Sequence, residues 1–230
     1  MPKLTISLAQ MQVTPGDITR NTNQMQRMVA EAARRKSNLL VFPELFTTGY
    51  VLDEAKERAD NLNKGMFAEI SNLATKGNLA ITGSVLEKRG LEVANSMPFF
   101  APNGRMLGVY RKMHLFKLFD EDKYLAPGQS PLVLDLPWGT TGLAICYDLR
   151  FPEMYRALVD KGADIIAVPS AFTLTTGKDH WHTLLRARAI ETQCWVIAPG
   201  QWGTHDAGGK RNSYGHSVII DPWGAVVADK

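Results

Sequence analysis

Cysteine is nearly absent from this sequence, whose 230 residues contain two, Cys146 and Cys194. Two cysteines are too few for the disulfide framework of a small secreted fold, and neither has a partner at zinc-ligand spacing. The N-terminal segment MPKLTISLAQ lacks the apolar stretch of a signal peptide and of a membrane span. We therefore expect a cytoplasmic protein with free thiols that does not bind a membrane.

The sequence also lacks an excess of charge of one sign. Its 26 basic and 23 acidic residues give a formal charge of +3 and a pI near 8.8. The basic residues are scattered, and the densest cluster, 34–36, falls at the end of a predicted helix, where cations suit the helix dipole. A nucleic-acid partner is therefore not expected.

Motifs for nucleotides and metals are missing as well. The sequence contains neither GxGxxG nor GxxxxGK[ST], so a nucleotide cofactor is not predicted. His180 and His182 lie two positions apart at a predicted helix start and so do not share a face. The acidic cluster 120–122 matches no calcium loop and is typical of a solvated loop. We expect neither a cofactor nor a metal.

Strand-like and helix-like segments alternate along the chain. Runs rich in Val, Ile, Leu and Phe predict strands, and apolar residues at helical spacing predict helices. The order predicts one α/β domain, residues 1–230, with mixed sheets and with helices outside. The predicted strands are 4–9, 38–42, 79–86, 96–101, 106–111, 132–136, 142–145, 164–168, 195–199 and 217–221, and the predicted helices are 21–36, 66–76, 152–161 and 179–193.

Cys146 stands between a predicted strand and a predicted helix start, where a thiol can be presented rather than packed. Backbone N–H groups and a helix dipole at such a position stabilise a thiolate or a developing oxyanion. Free cysteine is also among the most buried residue types, so the local sequence leaves a nucleophile and a packed thiol equally open. Cys194, at a helix end, is interpreted as a packed core thiol.

Two further polar groups follow apolar strands. Glu44 lies in LVFPELF, where apolar residues surround it. A carboxylate in apolar surroundings tends to have a raised pKa, which suits proton transfer near neutral pH. Pairing with a helix N-terminus or an arginine is the alternative for this residue. Lys112, in YRKMHLF, could hold an anionic intermediate, although a lone lysine there is more often a solvated strand-end charge. His114 is interpreted as a hydrogen-bonded core histidine.

Taken in order, the stretches FPELF, YRKMHLF and GLAICYDLRFPE resemble the carbon–nitrogen hydrolase (nitrilase) superfamily, whose members use a Glu, Lys and Cys triad. The resemblance implies Glu44, Lys112 and Cys146 as that triad and, through EDKYLAPG, Glu121 as a second active-site glutamate. It implies an αββα sandwich, no cofactor, and a homodimer or a larger homo-oligomer. Relatives continue past the position of Lys230, so a C-terminal extension is expected to be missing.

The same resemblance implies a reaction. Glu44 accepts the thiol proton of Cys146 during attack on a carbonyl, and Lys112 with the N–H of Tyr147 forms the oxyanion hole. A thioester at Cys146 is then hydrolysed by water that Glu44 deprotonates or that Glu121 assists.

The substrate is expected to be a linear amide of a small molecule. Residues 169–228 resemble amidases that act on deaminated glutathione, whereas the segments around Glu121 and Cys146 resemble omega-amidases that act on 2-oxoglutaramate.

Arg150 is the expected carboxylate ligand, with a structural salt bridge as its alternative, and Tyr50, Tyr147 and Phe172 are expected pocket walls. N-carbamoyl amide hydrolase and nitrilase activity remain alternatives within the superfamily. A thiol redox sensor and a non-catalytic binding module are the alternatives outside it.

Overall fold

The computed structural model describes residues 4–204 and 211–230, which form two facing β-sheets with helices on their outer surfaces. In this part of the chain the first sheet has six strands, of which the first three in chain order run parallel and the rest pair antiparallel. The long fifth strand pairs with the third, fourth and sixth. These strands are β1 (Ile6–Leu8), β2 (Leu39–Val41), β3 (Ala80–Thr82), β4 (Val85–Arg89), β5 (Glu92–Phe100) and β6 (Met106–Arg111).

The second sheet has a parallel centre and antiparallel edges. Its strands are β7 (Leu132–Leu136), β8 (Gly139–Leu143), β9 (Ile165–Ala167), β10 (Trp195–Ala198), β13 (Val218–Ile220) and β14 (Val226–Asp229). Their order across the sheet is β14-β13-β10-β9-β8-β7. A separate two-stranded sheet joins β11 (Trp202–Thr204) to β12 (Asn212–Tyr214).

Four longer helices form the outer layers. On the first sheet, α3 (Gly65–Gly77) packs on β3 and β5, and α1 (Ile18–Arg34) contacts α3. On the second sheet, α5 (Pro152–Asp160) packs on β8, and α6 (Leu174–Thr192) packs on β10 and β13. Asp17 and Thr173 cap α1 and α6 by accepting from backbone N–H groups, and Pro152 opens α5. The short helices are α2 (Ala55–Arg58) and α4 (Glu121–Tyr124), and 3-10 turns span Leu52–Glu54, Lys117–Phe119 and Cys146–Arg150.

The largest hydrophobic cluster lies between the sheets. Val41, Phe99 and Tyr110 of the first sheet are buried in the same cluster as Leu143 and Ile166 of the second. A second cluster lies beneath α1 and α3. This arrangement confirms the predicted αββα sandwich.

The structure differs from the predicted elements in three details. The predicted strand 79–86 is two strands, β3 and β4, separated at Gly83, where a Cβ would lie 2.6 Å from Cβ of Phe42. The helix predicted to start at Asp179 starts at Leu174, because the Thr173 side chain accepts from the N–H of Thr176. The β11–β12 pair was not predicted.

Within the described ranges, no helix is long and apolar enough to span a bilayer.

Candidate active site

Glu44, Lys112 and Cys146 meet between the two sheets. Glu44 follows β2, Lys112 follows β6 directly, and Cys146 follows β8, so two come from the first sheet and one from the second. Their exposed fractions are 0%, 1% and 8%. The strands end at the same side of the sandwich, and the fold thereby brings together three side chains that are far apart in sequence.

Lys112 connects the two buried glutamates. Its Nζ donates to Oε1 of Glu44 and to Oε1 of Glu121, both at 2.8 Å, and all three side chains are fully buried. The second oxygen of Glu121 accepts from the N–H of Phe116 at 2.9 Å. Glu121 therefore does not belong to a solvated loop, whereas its neighbours Asp120 and Asp122 are exposed.

The charges in this cluster shift the pKa values of its members. Burial alone would lower the pKa of Lys112, but the charges of Glu121 and Glu44 outweigh it and raise that pKa, so the amine stays an ammonium. For Glu121, burial is the largest cause and raises the pKa, with the Glu44 charge acting in the same direction against the opposing effect of Lys112. One cation thus faces two carboxylates that repel each other.

Glu44 is held from several directions. Asn95 Nδ2 donates to its Oε1 at 3.0 Å, and the N–H of Ala171 donates to its Oε2 at 3.1 Å. Gln201 Nε2 donates to its backbone carbonyl at 2.6 Å. None of these three contacts is predicted from the sequence; the one local signal is the polar pair Asn95 and Ser96 in the middle of a mostly apolar strand. These bonds fix the carboxylate beside Cys146.

Cys146 begins its 3-10 turn with a left-handed backbone, φ 45°, and its N–H donates to the carbonyl of Pro169 at 3.0 Å. Burial is the main cause of a pKa well above the usual thiol value, and the charge of Glu44 and a hydrogen bond with it act in the same direction. Lys112 opposes them. The resting residue is therefore a protonated thiol whose proton lies beside a carboxylate.

Asp148 ties the turn of Cys146 to the segment after Lys112. Its Oδ2 accepts from the N–H of Ile145 and from the hydroxyl of Tyr110, at 2.9 and 2.7 Å. Its Oδ1 accepts from the backbone N–H of His114 at 3.0 Å and lies 2.7 Å from Nδ1 of the same residue. Sequence analysis did not single out Asp148. His114 is hydrogen-bonded as predicted, but it is only partly buried and stacks on Phe151.

A narrow pocket with about 20 Å³ of free volume opens over Cys146. All four predicted pocket residues line it. The hydroxyl of Tyr50 hydrogen-bonds Glu44, and burial, followed by the Glu44 charge, raises the pKa of Tyr50 well above its usual value. The lining residues are Tyr50, Phe116, Phe119, Cys146, Tyr147, Arg150, Ala171, Phe172, Thr173 and Thr176.

Arg150 carries positive charge at this pocket. Its guanidinium lies 5.6 Å from the ring centroid of Phe172, and its Nη2 lies 3.2 Å from Nδ1 of His180. Among residues 4–204 and 211–230 it forms no ion pair with a carboxylate, so the salt bridge considered from the sequence is not found there. The guanidinium is thus free of a local counter-charge in the described structure.

Other candidate residues lie away from the pocket. Cys194 is 1% exposed and its thiol donates to the carbonyl of Ala163 at 3.0 Å, which confirms the packed core thiol. Within the described residues, one group could offer metal ligands, His182 with His216 and Asp229, and none of the three lines the pocket.

The chain resembles known proteins over nearly all of its length. A deaminated glutathione amidase from Dictyostelium discoideum is 39% identical and covers 91% of this chain and 77% of its own. Omega-amidase NIT2-A from Xenopus laevis is 34% identical and covers 99% of this chain and 84% of its own. The crystal structure of Nit3 from Saccharomyces cerevisiae, a member of branch 10 of the nitrilase superfamily, matches with a TM-score of 0.90 at 30% identity, over 99% of this chain and 85% of Nit3.

An amidase from Nesterenkonia sp. AN1 links the fold to cysteine chemistry. It matches with a TM-score of 0.89 at 27% identity, over 99% of this chain and 89% of its own. In the matched structure, a glutamate-to-glutamine mutant, acrylamide has added to the active-site cysteine. The family model described as carbon-nitrogen hydrolase matches residues 5–230. The chain belongs to the carbon-nitrogen hydrolase family and is an amidase of that family.

Proposed function

We propose that this amidase hydrolyses the terminal amide of a short 2-oxo acid, such as 2-oxoglutaramate, through a thioester at Cys146. The observation that carries the proposal is the buried Glu44–Lys112–Glu121 network beside the thiol of Cys146. It joins a nucleophile, a proton acceptor and a fixed cation, which are the groups that acyl transfer needs.

In the proposed first step, Sγ of Cys146 attacks the amide carbon while Glu44 takes the thiol proton. Negative charge develops on the carbonyl oxygen, which the ammonium of Lys112 and the N–H of Tyr147 stabilise. Tyr147 lies in the first turn of its 3-10 helix, where N–H groups have no acceptor within the helix. Glu44 then passes the proton to the departing nitrogen, and ammonia leaves as the thioester forms.

Water completes the cycle in the second half of the proposal. Glu44 deprotonates the water as it attacks the thioester, and Lys112 and Tyr147 again hold the oxyanion. The C–S bond breaks, and the proton held by Glu44 returns to the sulfur of Cys146. Glu121 positions Lys112, because its Oε1 accepts a hydrogen bond from Nζ of Lys112 at 2.8 Å. This contact keeps the ammonium directed at the reacting oxygen.

The choice of substrate rests on Arg150 and on the relatives. A guanidinium without a local carboxylate partner suits the carboxylate of a 2-oxo acid, which it can bind with two parallel hydrogen bonds. The relative from Xenopus laevis is named as an omega-amidase. A pocket of about 20 Å³ has room for little more than a water molecule, so some of its lining side chains must move to admit the acid.

Ammonia release from 2-oxoglutaramate, measured for the wild type and for Cys146→Ala, tests the proposal. We expect release by the wild type and loss of release in the variant, together with a wild-type adduct on Cys146 whose mass equals that of the acyl group. Undiminished release in Cys146→Ala would show that another group attacks the amide. A matched nitrile and an N-carbamoyl amide, assayed beside the amide, distinguish the other activities of the family.

Deaminated glutathione is a second candidate substrate, because the relative from Dictyostelium discoideum is named for it. The same attack would then expel an amine in place of ammonia. A competition assay with both substrates separates the two candidates by their kcat/KM values. The redox-sensor alternative predicts instead that peroxide oxidises Cys146 and that Lys112→Ala leaves function unchanged.

We further propose a cytoplasmic homo-oligomer. A reducing compartment keeps the nucleophilic thiol of Cys146 available, and both cysteines are free thiols in this fold. Trp223, 88% exposed, lies beside Gly224, which approaches Ile190 on the outer face of α6. Exposed apolar side chains grouped on a helical layer are typical of subunit interfaces.

A further inference from the structure

Three side chains with metal-ligand chemistry converge on the surface, away from the proposed active site. His182 lies on α6, His216 lies in the short link between β12 and β13, and Asp229 ends β14. One possible ligand atom from each residue lies within 4.8 Å of the other two. We infer that His182, His216 and Asp229 form a binding site for a divalent transition metal ion such as Zn²⁺.

The three side chains already face a common point. Nε2 of His182 lies 2.9 Å from Oδ2 of Asp229, and Nδ1 of His216 lies 3.1 Å from Oδ1 of the same carboxylate. Ligands about 2.0–2.1 Å from a tetrahedral ion are about 3.3 Å apart, so the two histidine–aspartate distances are close to those of a metal site. Small rotations of the imidazoles would open space for the ion.

The surroundings hold these groups in place. The ring of His216 stacks on Tyr214 with centroids 4.3 Å apart, and its carbonyl accepts from Nε1 of Trp181 at 2.7 Å. Asp229 pairs with Val218 in the β13–β14 register, which places it across from the residues that follow His216. Two of the three ligands thus lie on regular elements, His182 on α6 and Asp229 on β14, which define ligand geometry better than loops do, and His216 lies in the three-residue link between β12 and β13.

The donor set selects the kind of ion. Imidazole nitrogens suit Zn²⁺, Cu²⁺, Ni²⁺ and related ions, whereas Mg²⁺ and Ca²⁺ prefer oxygen ligands. Each neutral imidazole presents its lone pair to the ion once its proton resides on the other ring nitrogen.

Solvent reaches the site. The side chains of His182, Asp229 and His216 are 29%, 35% and 44% exposed, which leaves a path for the ion and room for water to complete its coordination. None of the three residues lines the pocket over Cys146. The inference is therefore independent of the proposed substrate.

Calorimetric titration with Zn²⁺ tests the site in the wild type, in His182→Ala and in His216→Ala. We expect one equivalent to bind to the wild type. Each variant should lose at least about 100-fold in affinity, the upper end of what loss of a ligand's supporting partner causes. His180→Ala is the matched control, since it removes a histidine two positions away on the same helix, and it should bind as the wild type does.

A second variant and a spectroscopic probe separate ligand loss from misfolding. Cys146→Ala should keep the Zn²⁺ affinity, which excludes the active-site thiol as the ligand, and Asp229→Asn should weaken it. With Cu²⁺, the wild type should give an electron paramagnetic resonance signal coupled to imidazole nitrogen that His182→Ala loses. Mg²⁺ should not compete. Absence of one-site binding in the wild type, or an affinity equal to that of the wild type in His182→Ala or in His216→Ala, would overturn the inference.

Discussion

Glu44 lies between the cation and the nucleophile, since it accepts a hydrogen bond from Lys112 and its charge acts on the thiol of Cys146. Its charge and its hydrogen bond both raise the pKa of Cys146, whereas Lys112 lowers that pKa. Replacing Glu44 by glutamine removes the charge, which is the larger of these two raising effects. It also removes the proposed proton acceptor for the hydrolytic cycle.

We therefore expect Glu44→Gln to separate two reactivities. Amide hydrolysis should fall by about 10²- to 10⁴-fold, the usual contribution of a general acid–base group. Alkylation of Cys146 by iodoacetamide should persist, and its pH profile should move to lower pH because the thiol pKa falls. Mass spectrometry of the modified peptide, with Cys146→Ser as the control, measures the alkylation. Loss of both reactivities together would contradict this account.

Lys112 is the sole positive charge placed between Glu44 and Glu121 in the described structure. Lys112→Met would leave two buried carboxylates facing each other without a counter-ion. Removing one partner of a buried ion pair destabilises a protein by about 3–5 kcal/mol, and we expect a loss of that order in urea unfolding at pH 8. Glu121→Gln combined with Lys112→Met should recover part of the loss, because one of the two repelling charges is gone.

The stability of Lys112→Met should also depend on pH. Burial already raises the pKa of Glu121, and the loss of Lys112, which opposes that rise, raises it further. A carboxyl group whose pKa is higher in the folded chain than in the unfolded chain retains its proton on folding. Stability therefore falls as pH rises from the unfolded value, about 4.3, through the folded pKa. Urea midpoints should be higher at pH 5 than at pH 8, and a flat profile would argue against a buried, uncompensated Glu121.

Among the structural elements, the 3-10 turn Cys146–Arg150 depends on Asp148, which joins it to β6 and to the segment after Lys112. Asp148→Ala leaves several buried donors without an acceptor, and each such group costs about 1–3 kcal/mol. We expect a loss of at least about 2 kcal/mol in unfolding free energy and a fall in kcat, since Cys146 and Lys112 lose a common support.

Tyr110→Phe is the matched control for Asp148→Ala. It removes the hydrogen bond to Asp148 and the acceptor of the Met113 N–H, and leaves the bonds from Ile145 and His114 to Asp148 in place. The expected loss is about 1 kcal/mol, with kcat close to that of the wild type. If Tyr110→Phe were as damaging as Asp148→Ala, the tyrosine rather than the turn would be the essential support.

Sequence patterns predicted most elements because strand residues and helical stripes are local signals. The ends of β2, β6 and β8 were visible as apolar runs followed by polar groups, and this located Glu44, Lys112 and Cys146. Asn95 and Gln201 were missed because they contact Glu44 across 51 and 157 positions, and no local pattern reports such contacts. The His182–Asp229 contact spans 47 positions and was missed for the same reason.

For the whole molecule, the proposed oligomer makes a testable claim about the outer face of α6. Trp223→Asp replaces an exposed apolar side chain by a charge next to Gly224, which approaches Ile190, and we expect it to shift the protein to a smaller species in light scattering after size-exclusion chromatography. Leu91→Asp is the control, since Leu91 is 94% exposed in the turn between β4 and β5. An unchanged mass for Trp223→Asp would place any interface elsewhere.

Glu44 and Lys112 lie on one sheet and Cys146 lies on the other. The rate of the proposed reaction therefore depends on how the two sheets are aligned. Displacing reacting groups by about 1 Å can reduce a rate by about 10²-fold. Substitutions in the core between the sheets, such as Phe99→Leu or Ile166→Val, should therefore lower the rate of turnover although they lie away from the pocket. Substrate affinity should not change in the same variants. A lower reaction rate would then reveal small shifts between the two sheets that leave the protein folded.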